Sequence, residues 1–149
     1  MQTQGCGETE GDGVPEQASE AFGAFDVFAR TCPSRETLEH VTGRWGSLTV
    51  GALSKGPCRF NELRRRVDGI SEKMLSQTLH ALERDGIVNR EAQPTNPPRV
   101  DYELTPFGVA VAERVDALIG LLEGSMPSVL SSRSAYDAAR EGRWQRGQK

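Results

Sequence analysis

The stretch from Gly69 to Gly86, GISEKMLSQTLHALERDG, restricts the fold most, because it encodes both ends of one short helix. Ser71 is placed to be the N-cap, where its hydroxyl accepts a hydrogen bond from a free backbone N–H group. Gly86 can adopt the left-handed conformation that ends a helix, and Ile87 beyond it can contact Leu82. The sequence therefore predicts a helix whose start and end are both defined.

The two faces of this helix differ in character. Leu75, Leu79 and Leu82 follow the i, i+4, i+7 spacing and form one apolar stripe. The outward face is polar and rich in donors that can bind phosphates or base edges in a major groove. The alternative is that this face is an ordinary solvated helix surface. These residues taken alone favour that alternative. The candidate DNA-contacting residues on the helix are Ser71, Lys73, Ser76, Gln77 and His80.

The preceding segment predicts a partner for this helix. Residues 58–67 begin with a brief extended stretch and continue as a helix with Arg64 and Arg65 on or near its surface. Asp68 and Gly69 then supply a turn as short as the one in a helix-turn-helix motif. The helix that follows such a turn occupies the position of a recognition helix.

The segment after the recognition helix predicts a β-hairpin. Residues 87–91 are a short strand, and residues 100–104 alternate apolar and acidic side chains as the return strand. The connection between them, 92–99, is polar and contains three prolines. A helix-turn-helix followed by a two-stranded hairpin is a winged helix. Arg90 and Arg99 lie on the predicted wing, where long cations can reach phosphates or the narrow minor groove.

Helices are predicted on both sides of the winged helix, so the expected fold is mainly α with a small β-hairpin. Residues 18–29 contain three phenylalanines that can line one side of a short helix. Thr105 and Pro106 start another helix, whose apolar stripe is longer than a small winged helix can cover. Gly124 is expected to end this helix, and a weaker one is predicted from 126 to 142. We expect the flanking helices to form a dimer interface.

Charge is distributed unevenly along the 149 residues, whose net charge is −3. Residues 55–99 contain nine basic and six acidic residues, so the segment around the recognition helix is the positive one. Residues 1–17 have almost no large apolar side chains and are expected to be a disordered acidic tail. Residues 143–149 are expected to be a flexible C-terminal tail. No apolar run approaches the ~20 residues of a membrane span, which predicts a soluble, cytoplasmic protein without membrane contact.

Three cysteines, Cys6, Cys32 and Cys58, are odd in number and too widely spaced for a disulfide framework or a zinc site. Pro33 favours the first helical position, which makes Cys32 the N-cap and places its sulfur at the positive end of the helix dipole. A thiolate is stabilised there. Ser34 is a competing N-cap, in which case the sulfur lies slightly outside the helix.

The sequence resembles the HxlR-type winged-helix transcriptional regulators of bacteria, relatives of the MarR group, in three segments: CPSRETLEHVTGRW, RFNELRRRVDGISEKMLSQTLHALERDGIV and PPRVDYELTPFG. The resemblance implies a homodimeric DNA-binding regulator, with dimer contacts from N- and C-terminal helices. The resemblance covers roughly residues 32–125. With the flanking dimerisation helices, we expect an HxlR-type winged-helix domain at 18–142, with a DNA-binding core at about 32–105. Some members sense electrophiles, oxidants or quinones through a cysteine just before the first helix, the position of Cys32. Cys58, just before the predicted helix that carries Arg64 and Arg65, is the alternative sensor.

Three functions are open from the sequence. The leading one is a homodimeric transcriptional regulator that binds a pseudo-palindromic operator in double-stranded DNA and responds to an oxidant, an electrophile or another small-molecule effector. The second is a winged helix that binds proteins. The third is a thiol enzyme, which would need a base beside its cysteine that this sequence does not supply. We expect no enzyme activity, catalytic residue, cofactor or metal site. The residues expected to hold the DNA backbone are Arg64, Arg65, Arg90 and Arg99.

Overall fold

The computed structural model describes residues 25–148, and the chain divides into two units, 1–36 and 37–149. The described part of the first unit consists of turns followed by the first turn of a helix. The second unit contains the rest of that helix, four further helices and a small antiparallel sheet. The elements in chain order are α1 (Pro33–Thr42), α2 (Gly46–Leu53), β1 (Cys58–Arg59), α3 (Phe60–Arg66), α4 (Glu72–Arg84), β2 (Val88–Gln93), β3 (Arg99–Leu104) and α5 (Pro106–Gly147).

The helix predicted over residues 18–29 is wrong in its described part, because residues 25 and 26 belong to no helix and residues 27–31 form turns and a bend. Asp26 organises these turns, since its Oδ1 accepts a hydrogen bond from the backbone N–H of Phe28 at 2.9 Å. An aspartate that bonds to the backbone two residues on favours a turn over a helix. The ring of Phe28 is 89% exposed. Residues 18–24 lie outside the described part of the chain.

Helix α4 has the ends that the sequence predicts. The Ser71 hydroxyl accepts a hydrogen bond from the backbone N–H of Met74 at 3.1 Å. At the other end Gly86 has a φ of 74°, and the N–H of Ile87 donates to the carbonyl of Leu82 at 2.9 Å. This is the Schellman arrangement, in which a left-handed residue lets the chain satisfy a free helix carbonyl. Both predicted ends of the helix are confirmed.

The apolar stripe of α4 lies in the centre of the core. Leu75, Leu79 and Leu82 are at most 2% exposed. They belong to one cluster with Val50 of α2 and Leu63 of α3. Burial of a side chain of this size contributes about 1.5–3 kcal/mol, so the stripe holds α4 against the two preceding helices. The opposite face of α4 is left at the surface.

The wing is a three-stranded antiparallel sheet in the order β1-β3-β2. The predicted hairpin is present as β2 and β3, with Arg90 opposite Tyr102. Strand β1 is only two residues long, and the sequence predicts it as an extended stretch without a partner. In the structure Cys58 of β1 pairs with Tyr102 on the other side of β3. The wing is therefore anchored to the start of α3 as well as to the end of α4.

Helix α5 begins as predicted. The Thr105 hydroxyl accepts a hydrogen bond from the N–H of Gly108 at 2.9 Å, and Pro106 occupies the first helical position. Gly108 lies against the backbone that leads into the wing, because a Cβ atom there would be 2.0 Å from the carbonyl oxygen of Ile87. A glycine is therefore needed for α5 to pack this closely at the base of the wing.

The second half of α5 differs from the prediction. The structure has one helix of 42 residues, Pro106–Gly147, so the expected end at Gly124 and the separate helix from 126 to 142 are wrong. Gly124 does not adopt the positive φ of a helix-ending glycine. Glycine inside a helix costs only about 1 kcal/mol relative to alanine, so Gly124 alone does not end the helix. The helix also continues through Pro127, although an interior proline costs about 3 kcal/mol or more. Residues 143–147, which the sequence places in a flexible tail, continue the helix.

Candidate nucleic-acid interface

Helix α4 presents an exposed face opposite its buried leucines. Four of the five residues that the sequence selects on this helix lie there and are exposed. Their ammonium, hydroxyl, amide and imidazole groups include donors and acceptors that can pair with base edges or phosphates. The structure therefore brings these groups together on one surface. They are Lys73, Ser76, Gln77 and His80.

Ser71 stands at the end of this face, and its side chain is engaged in the helix cap. Because its Oγ accepts a hydrogen bond from the N–H of Met74, the hydroxyl keeps a single proton to donate. Loss of an N-cap serine costs about 0.5–2 kcal/mol of stability. The first role of Ser71 is therefore to start α4, and a DNA contact would be an additional one.

Arg64 and Arg65 lie beside the N-terminal turn of α4. They line a shallow groove together with Asn61 and Glu72. Nη1 of Arg64 donates to Oε1 of Glu72 at 3.0 Å, and the two side chains are 45% and 69% exposed. An ion pair this exposed contributes little to stability. Its effect is to orient the Arg64 guanidinium towards α4.

The two wing arginines lie on the surface, on neighbouring strands. Nε of Arg99 donates to Oδ1 of Asp101 at 3.0 Å, a bond that does not use the terminal nitrogens of the guanidinium. Arg90 is exposed on β2. Both positions suit a cation that reaches across to a phosphate.

A groove of about 470 Å³ lies between the start of α3 and β3, and Arg59, Arg65 and Arg99 line it. Arg59 is not among the residues predicted from the sequence, although its place in the positive segment 55–99 is a signal for it. The one carboxylate among the lining residues belongs to Glu62. Its Oε2 accepts a hydrogen bond from the backbone N–H of Arg59 at 3.0 Å. That carboxylate therefore serves the N-terminal cap of α3, and the groove as a whole is cationic.

Cys32 directly precedes α1, which begins at Pro33 as the sequence predicts. The Ser34 hydroxyl lies 3.1 Å from the Cys32 Sγ. Hydrogen bonds from this hydroxyl and from the Ser34 backbone N–H lower the pKa of the Cys32 thiol below its usual value. A hydrogen bond to the charged form stabilises that form, so Cys32 has an increased fraction of thiolate at neutral pH.

Cys58 has the opposite environment. Burial, and after it the negative charge of Glu62, raises the pKa of the Cys58 thiol. Its Sγ donates to the carbonyl oxygen of Gly56 at 3.6 Å. Because the thiolate is the reactive form, the two environments favour Cys32 over Cys58 as the candidate reactive thiol. Cys6 lies outside the described residues.

Neither metal-ligand nor membrane-spanning features occur in residues 25–148. No three histidine, cysteine or carboxylate side chains in that range are placed to hold a metal ion together. None of the helices there is long and apolar enough to cross a membrane. In the described part of the chain, α3, α4 and the wing carry cations and hydrogen-bond donors at the surface.

The chain is similar to known proteins in sequence. The model of the HxlR-like helix-turn-helix family matches residues 40–129. The HTH-type transcriptional regulator YtfH of Escherichia coli is 54% identical over 108 residues, which are 72% of this chain and 86% of that protein. Both matches include the helix-turn-helix, which is formed by α3 and α4, and the wing.

Two solved structures of regulators are similar as well. The transcriptional regulator ytfH from Salmonella typhimurium is 50% identical with a TM-score of 0.71, and the match covers 74% of this chain and 99% of that one. The redox regulator HypR in its oxidized form is 38% identical with a TM-score of 0.58, over 62% of this chain and 96% of that one. These likenesses confirm the predicted winged helix-turn-helix fold and the prediction that the protein is a regulator and not an enzyme. The chain belongs to the HxlR-like helix-turn-helix family of transcriptional regulators.

Proposed function

We propose that this regulator binds a pseudo-palindromic operator as a homodimer, with one α4 helix in each of two successive major grooves. The observation that carries the proposal is the exposed polar face of α4, which lies beside the arginines of α3. Recognition helices of such dimers are spaced by about 34 Å, one turn of DNA. The two subunits would therefore bind half-sites one helical turn apart.

The proposed roles divide by chemistry. Side chains on α4 pair with base edges, which distinguish one sequence from another, or with nearby phosphates. Arginines on α3 and on the wing bind the backbone, which every sequence shares. The first set is Lys73, Ser76, Gln77 and His80, with Ser71 at the helix start. The second set is Arg64, Arg65, Arg90 and Arg99.

A second copy of this chain is the proposed partner of α5. Leu118 and Leu122 of that helix are 52% and 51% exposed, and Leu121 is 66% exposed. Exposed apolar side chains that lie together mark an interaction site in a soluble protein. The resemblance to HxlR-type regulators implies dimer contacts from the C-terminal helices, so a second copy fits this surface.

Oxidation or alkylation of Cys32 is the proposed signal that changes DNA binding. Two observations support it: the lowered pKa of the Cys32 thiol and the likeness to a regulator named for its redox response. Cys58 is the less favoured alternative, because its pKa is raised. The same thiolate sulfur would attack an electrophile such as a quinone and form a covalent adduct with it.

A mobility-shift assay tests the proposed function. The probes are the DNA upstream of the protein's own coding sequence and a random duplex of the same length. We expect a complex with the upstream DNA that survives an excess of the random duplex, and footprinting should show two protected half-sites about 10 bp apart, centre to centre. A winged helix that binds proteins instead would shift neither probe at physiological salt.

A further inference from the structure

We infer that Arg44 is a further contact to the DNA backbone, held on the ring of Trp45 at the edge of the recognition helix. This role presupposes the proposed function. Arg44 lies in the turn between α1 and α2, away from the helices and strands that carry the arginines named above. Its guanidinium carbon is 4.7 Å from the centroid of the Trp45 ring system, within the distance of a cation–π contact.

Trp45 provides a fixed support for this cation. The indole is partly buried and packs against the hydrophobic core of the second unit. The residue after it, Gly46, is at a close backbone approach, because a Cβ atom there would lie 1.8 Å from the carbonyl oxygen of His40. The turn between α1 and α2 is therefore held by backbone packing, and the contact with the Trp45 ring places the Arg44 guanidinium beside it.

A groove of about 230 Å³ separates this turn from α4. Arg44 and Trp45 line it from one side, and Gln77 and Thr78 of α4 line it from the other. The cation thus borders the same groove as Gln77, which the proposed function directs towards bases. Glu39 is the one carboxylate among the residues that line the groove. No other lining residue carries a negative charge that would repel a DNA phosphate.

Arginines then flank α4 on two sides. Arg64 and Arg65 share a groove with Glu72, whereas Arg44 shares one with Gln77. Positions 72 and 77 are about 140° apart around a helix. A helix in a major groove about 12 Å wide lies between two phosphate backbones, so cations on both of its sides match that environment. A guanidinium already stacked on an aromatic ring keeps its N–H edge for a phosphate and loses little freedom on binding.

The salt dependence of DNA binding tests this contact. Wild type, Arg44→Ala, Arg44→Lys and Arg133→Ala are titrated with a random duplex of about 30 bp and with the upstream DNA at several salt concentrations. Arg133 is a matched control, because it is exposed, carries the same charge and lies about 40 Å along α5 from the start of that helix. Thermal unfolding followed by circular dichroism checks that each variant is folded. If Arg44→Ala is not folded, Arg44→Gln replaces it as the neutral variant.

We expect Arg44→Ala to weaken binding to both duplexes about three- to tenfold and to lower the slope of log affinity against log salt by about 1 per subunit. Arg44→Lys should keep the slope, since it keeps the charge, and Arg133→Ala should match wild type. A folded neutral variant with an unchanged slope would overturn the contact, and so would an equal loss in Arg133→Ala. If wild type bound neither duplex, the proposed function itself would fail, and the role of Arg44 with it.

Discussion

Gln77 lies midway along the exposed face of α4, and Arg99 lies on the wing. We predict that Gln77→Ala weakens binding to the operator by about 1–3 kcal/mol and leaves binding to random DNA nearly unchanged, because base-edge contacts discriminate between sequences. Arg99→Ala should weaken both, because phosphate contacts act on any sequence. Fluorescence anisotropy with the two duplexes measures the difference. Equal losses on both for Gln77→Ala would show that this side chain does not contact a base.

At Cys32, we predict that treatment with a quinone, which adds to a single thiolate, lowers the operator affinity of wild type and of Cys58→Ser, while Cys32→Ser keeps its DNA binding. The reason is that the pKa of the Cys32 thiol is lowered and that of Cys58 is raised, so the quinone meets more thiolate at Cys32. Operator affinity before and after treatment is the measurement. A Cys32→Ser protein that loses DNA binding as fully as wild type would exclude Cys32 as the sensor.

The pH dependence of alkylation is the control for this assignment. The thiolate fraction falls as pH drops below the pKa, so Cys32 should go on reacting with iodoacetamide at a pH where Cys58 no longer does. Peptide mass spectrometry on a Cys6→Ser background, from about pH 5 to pH 10, gives both profiles. A midpoint for Cys32 at or above that of Cys58 would contradict the environments described here.

Between elements, the C-terminal half of α1 is joined to the end of α4 by one short polar contact. Nδ1 of His40 lies 2.6 Å from Oδ2 of Asp85, and the side chains are 24% and 14% exposed. Asp85 is the C-cap of α4, directly before Gly86. The pair therefore helps to set where the end of the recognition helix lies against α1.

We predict that His40→Ala and Asp85→Ala each lower the free energy of unfolding by about 1–3 kcal/mol, because each leaves a half-buried polar partner behind. The double variant should lose less than the sum of the two. Urea unfolding measures all three proteins. Thr42→Ala, at an exposed position on the same helix, is the control and should change stability by less than about 0.5 kcal/mol. Additive losses would mean that the two side chains do not stabilise each other.

At the scale of the whole molecule, the predicted homodimer depends on the exposed apolar side chains of α5. Replacing Leu118 and Leu122 together by glutamate should give monomers, because two carboxylates cannot be buried unpaired in an apolar interface. Multi-angle light scattering reports the mass, and circular dichroism checks that the variant is folded. A folded double variant that remained dimeric would place the interface elsewhere.

Two glutamates placed on the wing control for the added charge. Ala92→Glu with Thr95→Glu adds the same two negative charges at exposed positions outside α5. This protein should keep the dimer mass while its DNA affinity falls, because carboxylates on the wing repel phosphates. Loss of the dimer in the wing variant as well would indicate a general effect of charge instead of a contact through α5.

Local features of this protein follow from the sequence alone. The N-cap at Ser71, the left-handed Gly86 and the start of α5 at Thr105 depend on hydrogen bonds within about five residues, and each is present in the structure. The stripe of buried leucines on α4 follows from the helical period in the same way. These features, together with the resemblance to HxlR-type regulators, are sufficient to predict a winged helix and to select the face of α4 that we propose contacts DNA.

The tertiary structure decided what depends on distant segments. Strand β1 exists because Cys58 pairs with Tyr102. Helix α5 runs on past Gly124, which does not adopt the positive φ of a helix-ending glycine. The groove that gathers Arg59 with Arg99 joins residues far apart in the chain, as does the groove that Arg44 shares with Gln77. Such groupings depend on how the helices pack, and no spacing of residues along the sequence encodes them.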